Sequence, residues 1–354
     1  MIKRYLIHTK TSIDQARETC IKHGGVHILH CHKYFPFIVA EIENMKNLKN
    51  HPCISHIEED VHIRVHKTHT HAGNQVALNV PWNIEVIKAP LVWPKSQGSG
   101  IRVGVLDTGI DYTHPALRGR VAGGYNIIAQ NRNFRDDNGH GTHIAGTIAS
   151  ANARAGLFGV APLASLYGIK VMDHNGSGRV SDTIKGIEWA IDNKIQVLNM
   201  SLGSSKYSQA FEQATRMAFQ RGVIMVASAG NEGKRDRIVN NIDYPARFPW
   251  VISVGAVDRN MKRASFSSTG NRLDIMAPGV DIRSTWLGGG YKTESGTSMS
   301  AAHVSGSAAL LMSLHPNMQS SMAKRYFMQL QSRMGALREY GHGVLNLTPL
   351  SRGR

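Results

Sequence analysis

The sequence predicts a three-layer α/β/α domain on a mostly parallel sheet, preceded by a small α+β domain. Three observations predict it. From residue 101 onward, apolar strand-like runs alternate with amphipathic helical stretches, the pattern of a sheet covered on both faces. The first 65 residues carry a shorter alternation of their own. Between the two lies KTHTHAGNQ, Lys67 to Gln75, with few apolar residues and no period, as in an exposed, cleavable linker. The expected organisation is a small domain over 1–66, a linker over 67–76 and a large domain over 77–354.

In the small domain, residues 2–7 (IKRYLI) and 37–42 (FIVAEI) read as strands, and VHIRV at 61–65 alternates apolar and polar with β-branched residues. A further strand is expected near His27 to His30, and helices over 11–22 and 43–50. The β-α-β-α-β order suggests a small ferredoxin-like sheet with helices on one face. In the large domain the strands are IRVGVLD, SLYGIKVMD, VLNMSL, VIMVASAG and WVISVGAVD. The helices open at Gly141 and run around DTIKGIEWAIDN and QAFEQATRMAFQRG. In such sheets chemistry gathers at the carboxyl ends of the strands.

At 354 residues the chain is long enough for one large core and a second unit. Hydrophobic and charged fractions of 42% and 19% exclude a disordered or fibrous chain. The net charge of +16 resides mostly beyond residue 76. It favours encounter with anionic partners, but no Lys/Arg run with interleaved aromatics marks a nucleic-acid groove. Cys20, Cys31 and Cys53 all lie in the small domain. No stretch of about 18 apolar residues occurs and no apolar run follows the first basic residues. A monomer without membrane span is expected, cytoplasmic by default, with secretion as the alternative.

Asp107 closes the strand VGVLD, GHGTHIAG spans 139–146 and SGTSMSAAHVSG spans 295–306, both small-residue turns leading into apolar helices. A serine hydroxyl needs an imidazole within reach, and the imidazole an acid to fix its tautomer. The order Asp, His, Ser is one of the known chain orders for that geometry.

VGVLDTGID, NGHGTHIAGTIA, NMSLG, ASAGNEG, GTSMSAAHVSG and YGHGVLN stand in the order and rough spacing of the subtilisin family, so that residues 77–347 resemble its peptidase domain. The resemblance implies a serine endopeptidase with Asp107 as acid, His140 as base and Ser298 as nucleophile. It assigns Asn231 as side-chain donor to the oxyanion, with the Ser298 backbone N–H beside it. His143 and His303 become packed structural histidines. Gly176-Ser177-Gly178 and Ser201-Leu202-Gly203 match the segments that hold substrate as an added strand. Glu232 and Asp243 look placed for the primary pocket, where they would favour Arg or Lys before the scissile bond.

By the same resemblance, residues 1–66, with SHIEEDVHIRVH as their most recognisable part, are a pro-domain that assists folding and then inhibits, cleaved between about His66 and Ala77. No cofactor is required for catalysis. Relatives with a strong calcium site use side-chain oxygens where this chain has Leu78, Ala116 and Ala153, with Arg154 adjacent. That site is expected to be lost, a weaker one staying open. Ala302 replaces the family's usual Pro four residues after the nucleophile, which raises peptide ligation as an alternative to hydrolysis. A silent binding protein of the same fold is the rival from another class, and no triad or oxyanion residue is missing to support it. Of 18 histidines, 11 fall in residues 1–71, including His23, His27, His30 and His32. A proton switch or a Cys/His metal site would use them, but the spacing fits no known zinc pattern, and no metal ligand is assigned.

Overall fold

A computed structural model of the chain describes residues 3–22, 25–45, 48, 50–70, 80–152, 155, 157–235 and 237–352. The large region is built on a nine-stranded sheet. Its order is Gln331–Ser332, Val344–Leu345, Ile275–Pro278, Ile252–Val257, Ile224–Ser228, Val197–Met200, Arg102–Asp107, Ser165–Lys170 and Val121–Asn126. All neighbouring pairs are parallel except the first, which is antiparallel.

The alternation of strand side chains divides the core into two layers. Val103, Val105, Val197, Ile224 and Val226 share a cluster with Ile144 and Ile148 of the helix His140–Ala149 and with Val304 and Ala308 of the helix Thr297–Leu314. Leu106, Leu198 and Met225 face the other way, onto Ile184 and Ile187 of the helix Val180–Asp192 and Phe211 and Ala214 of the helix Gln209–Gln220. The runs of Val and Ile noted in the sequence are buried on both faces, so they cannot show the apolar–polar alternation of a half-exposed strand. The short strand Val121–Asn126 (VAGGYN) has no such run, and sequence reasoning missed it.

The amino-terminal region is a four-stranded antiparallel sheet in the order Val26–Cys31, Phe37–Ile42, Lys3–Thr9, Ile54–Glu59. The helix Ile13–Lys22 covers one face through Ala16 and Cys20, which pack with Ile7, Ile38, Ala40 and Ile54. Leu6, Phe37 and Val39 point the other way and join the cluster of Ile184 and Phe211. Two expectations are corrected here. Of the helix expected over 43–50, residues 46, 47 and 49 lie outside the described residues; the described ones are not helical, Leu48 and Asn50 standing in turns with Leu48 N donating to Met45 O and His51 N to Leu48 O. The fourth strand of this sheet is Ile54–Glu59, not VHIRV; the strand His62–Val65 leaves it to pair with the large region. Cys20, Cys31 and Cys53 are free thiols. No helix among the described residues is long and apolar enough to cross a membrane.

Candidate active site

The strands Arg102–Asp107 and Ile224–Ser228 and the amino end of Thr297–Leu314 converge at the carboxyl edge of the sheet. Asp107 and Ser298 are fully buried and His140 nearly so. Asp107 Oδ1 lies 2.8 Å from His140 Nδ1 and also accepts the Thr108 backbone N–H at 2.7 Å. This contact gives His140 the tautomer with its proton on Nδ1, leaving Nε2 as a base. Burial pushes the His140 pKa down, but the Asp107 charge and hydrogen bond outweigh it, and the net shift is upward.

His140 opens its helix because Asp136 ties the preceding loop. Its Oδ1 accepts Asn138 N and Gly139 N, and its Oδ2 accepts the N–H and hydroxyl of Thr142. Gly141 is needed where the helix passes the strand end, since a Cβ there would sit 2.1 Å from Gly109 O.

Ser298 Oγ donates to Ser201 O at 3.4 Å, and His140 Nε2 has no hydrogen-bond partner among the described residues. The structure therefore joins Asp107 to His140 but leaves the link from His140 to Ser298 unclosed. The Ser298 main chain is held instead: Ser201 Oγ donates to Ser298 O at 3.0 Å, Asn199 Nδ2 donates to Ser201 Oγ, and Ser305 Oγ donates to Asn199 Oδ1. Asn231 is oriented by Thr297, whose N–H and hydroxyl both donate to its Oδ1, at 3.0 and 2.8 Å. With the oxygen so fixed, Nδ2 must face the cleft, where it donates to Lys67 O at 2.8 Å. Asp136, Thr297, Asn199 and Ser305 hold backbone N–H groups or other side chains in place rather than a reacting atom, so no argument from reacting groups pointed to them.

His143 Nε2 lies 3.0 and 3.2 Å from the carbonyls of Ile282 and Lys292, and burial drives its pKa to about 4. His303 Nδ1 donates to Met299 O at 2.7 Å and Nε2 accepts from Asn83 Nδ2; burial again takes the pKa to about 4. Both are neutral packed groups. Ala302 is wholly buried within its helix. Ala116 is buried in a short turn, while Leu78, Ala153, Arg154 and His23 lie outside the described residues, as do 71–79 of the expected linker and its border.

The cleft holds the chain's own segment 62–70. His62–Val65 lies antiparallel between Ser177–Arg179 and Leu202–Gly203, with Arg64 opposite both Ser177 and Gly203. Val65 N donates to Gly176 O at 2.9 Å. The His66 ring enters a pocket, its Nδ1 2.8 Å from Ser228 Oγ and its Nε2 3.1 Å from Asp243 Oδ2. Gly203 makes room for it, because a Cβ there would meet the ring at 2.5 Å. Beyond Lys67 the chain pairs again, His69–Thr70 against the strand Tyr291–Ser295. Glu232 is exposed and its side chain makes no hydrogen bond or ion pair among the described residues, so only Asp243 of the two expected carboxylates reaches His66.

Three further contacts dock the amino-terminal sheet. Asp60 accepts the backbone N–H and hydroxyl of Ser181 at the start of Val180–Asp192, at 2.9 and 2.7 Å. Glu58 accepts Gln209 N and Ala210 N at the start of Gln209–Gln220, at 3.0 and 2.8 Å. Both acids sit where orphan helix N–H groups and the helix dipole favour negative charge. Glu188, from the large region, accepts Lys33 N and Tyr34 N through Oε1.

Comparison with known proteins bears on the family of the chain. Residues 98–343 match the profile described as the Subtilase family. The chain is 39% identical to Subtilisin E of Bacillus subtilis (strain 168) over 353 residues, 98% of this chain and 89% of the relative. It is 40% identical to a Thermostable alkaline protease of Halalkalibacterium halodurans over 347 residues, 97% of this chain and 91% of that protein. An Alkaline protease of Shouchella clausii is 40% identical over 330 residues, 92% and 82% of the two chains. A likeness of this extent, running through the amino-terminal sheet as well as the large one, means that the chain belongs to the subtilase family.

Proposed function

We propose that this serine endopeptidase cuts peptide bonds through an acyl-enzyme formed on Ser298, and that residues 1–66 are a pro-domain inhibiting it until self-cleavage. In this reading Ser298 Oγ attacks the carbonyl carbon of the scissile bond while His140 Nε2 takes its proton. Asp107 steadies the imidazolium, and the carbonyl oxygen gains negative charge facing Asn231 Nδ2. The C–N bond then breaks as His140 returns the proton to the leaving amine, and water attacks the ester by the same route in reverse. Backbone pairing with 176–178 and 201–203 holds the substrate with little demand on its side chains. Asp243 favours a basic residue in the primary pocket, where the charge pair is partly shielded from water.

The observation that carries the reading is segment 62–70: it crosses the cleft as an added strand, fills the pocket with His66 and sets a carbonyl on Asn231. The cleaved bond is the one after His66 or after Lys67, since His66 occupies the pocket whereas Lys67 offers the carbonyl to Asn231. Intact mass against time, for wild type beside Ser298→Ala, tests this. Wild type is expected to lose the first 66 or 67 residues and become active. Ser298→Ala is expected to stay whole, with activity lower by about a millionfold. Both proteins remaining whole and inert would return the silent binding protein as the better account. No observation at Ala302 favours ligation over hydrolysis. Cytoplasmic residence finds no support in the likeness to subtilisins, which favours the alternative, secretion.

A further inference from the structure

A second cluster of chemically competent side chains lies away from the cleft, on the seam between the two regions. His30 Nε2 is 3.4 Å and His32 Nδ1 3.0 Å from the same atom, Glu188 Oε2, and the three atoms all lie within 4.8 Å of one another. His30 lies on the strand Val26–Cys31 and His32 directly follows it, whereas Glu188 belongs to the helix Val180–Asp192 of the large region.

His32 is the telling member. Its side chain is wholly buried, its ring 4.6 Å from that of Phe37 and 5.8 Å from that of Phe35. Among the described residues Nε2 has no partner, and Nδ1 has only the 3.0 Å contact to Glu188 Oε2, which is not a well-formed hydrogen bond. A buried polar group without a partner is costly unless something else satisfies it. Around a tetrahedral zinc ion with bonds of about 2.0 Å, ligand atoms stand about 3.3 Å apart, close to the two distances to Glu188 Oε2; the two imidazole nitrogens, within 4.8 Å of each other, would close the remaining gap by rotation of the part-exposed His30. Glu188 is already oriented for such a role, because the backbone N–H groups of Lys33 and Tyr34 hold its other oxygen. The His30 side chain is 34% exposed, which gives an ion a way in and leaves a position for water.

We propose that His30, His32 and Glu188 bind a divalent transition-metal ion, zinc being the probe, that clips the amino-terminal sheet to the helix beneath it. Two imidazoles and one carboxylate suit zinc or its neighbours and do not suit calcium or magnesium, which require mainly oxygen ligands. That the clip prolongs inhibition rests on the pro-domain reading; that the ion binds does not.

The experiment is a calorimetric titration of zinc chloride into full-length Ser298→Ala, carrying no histidine tag and freed of metal beforehand. One equivalent is expected to bind. His30→Ala and Glu188→Gln, each in that background, are expected to bind at least tenfold more weakly. His27→Ala, an exposed histidine 3.8 Å from Glu41, should bind as the parent does. His30 is partly exposed, so its removal is expected to leave the packed His32 in place and the fold intact. No uptake, or uptake undiminished in both ligand variants, overturns the proposal. Failure of the pro-domain reading would appear separately, as wild-type protein that never sheds its amino-terminal residues while this titration stands.

Discussion

The two sheets of the molecule solve the same problem in different ways. The large sheet is covered on both faces by helices of its own region, which pack Ile144 and Val304 on one side and Ile184 and Phe211 on the other. Among the described residues the small sheet has one helix of its own, Ile13–Lys22, and it buries its second face, through Leu6, Phe37 and Val39, against helices that belong to the large region. A region of this size buries too little surface to be comfortable alone. On the pro-domain reading proposed above, the small sheet is a ligand whose second face is completed by its receptor, and its tail in the cleft is the part of the ligand that reaches the chemistry.

The largest effect that separates the regions should come from Asn231. Asn231→Ala removes a fixed donor whose worth appears only as charge develops on the carbonyl oxygen, so kcat should fall by about 100- to 1000-fold with KM little changed. The docking of the small sheet, which rests on groups such as Leu6, Phe37, Val39, Asp60 and Glu58, should survive, and a cleaved but undissociated complex should be as tight as in wild type. An equal loss of docking would mean that the cleft, rather than the helix-covered face, holds the two regions together.

Phe37→Ala attacks the comparison from the other side. The ring is fully buried at the seam, and its loss should cost about 3 kcal/mol, most of it in the docked state. The lag between cleavage and full activity should shorten at least tenfold while kcat of the released enzyme stays unchanged. The strand carrying Phe37 was legible in the sequence; what it meant was not. FIVAEI is apolar on both faces, Ile38 and Ala40 inward and Phe37 and Val39 outward, so it required two covering layers where the sequence reading placed helices on one face only. The large parallel sheet was easier to foresee, because long apolar runs between amphipathic helices have few other uses.

The site was legible to a similar depth. Asp107, His140, Ser298 and Asn231 stand in motifs whose residue types belong to a reaction, and the structure brings Asp107 onto His140 and Asn231 onto a carbonyl. Thr297, Asp136, Asn199 and Ser305 were not foreseen, and Ser201 was foreseen only as part of a substrate-holding segment, because a positioning group is recognised only by what it touches. The pocket gave a mixed result: Asp243 reaches His66, whereas Glu232 is exposed and makes no side-chain contact with His66. Asp243→Asn should therefore cut kcat/KM for Arg or Lys peptides about tenfold relative to Phe peptides, the scale of a partly shielded charge pair. Glu232→Gln should change that ratio little. A preference unmoved by Asp243→Asn would detach the basic preference from this pocket altogether.

The smallest effect, and the one that tests docking most finely, concerns the two acids at the helix starts. Burial pushes the Glu58 pKa up, but hydrogen bonds from His8 and from Ala210 N and Gln209 N overcome it, and the net shift is downward. For Asp60 burial wins over the hydrogen bonds from Ser181, and the net shift is upward. The signs follow. A carboxylate depressed on docking stabilises the complex fully above its free value and loses that contribution as pH falls through its docked value, which lies below the ordinary 4.5. A carboxylate raised on docking does the reverse, opposing the complex at neutral pH and opposing it less as pH falls through its docked value toward the ordinary 3.8. Glu58→Gln should therefore speed release of the small sheet at neutral pH by about three- to tenfold, for a loss of about 1 kcal/mol, and flatten the acid weakening below pH 4.5. Asp60→Asn, which keeps one acceptor for Ser181 and sheds a poorly solvated charge, should change release at neutral pH by less than Glu58→Gln does. Release rates for the two variants in the opposite order would show that Asp60, not Glu58, is the charge on which the small sheet depends.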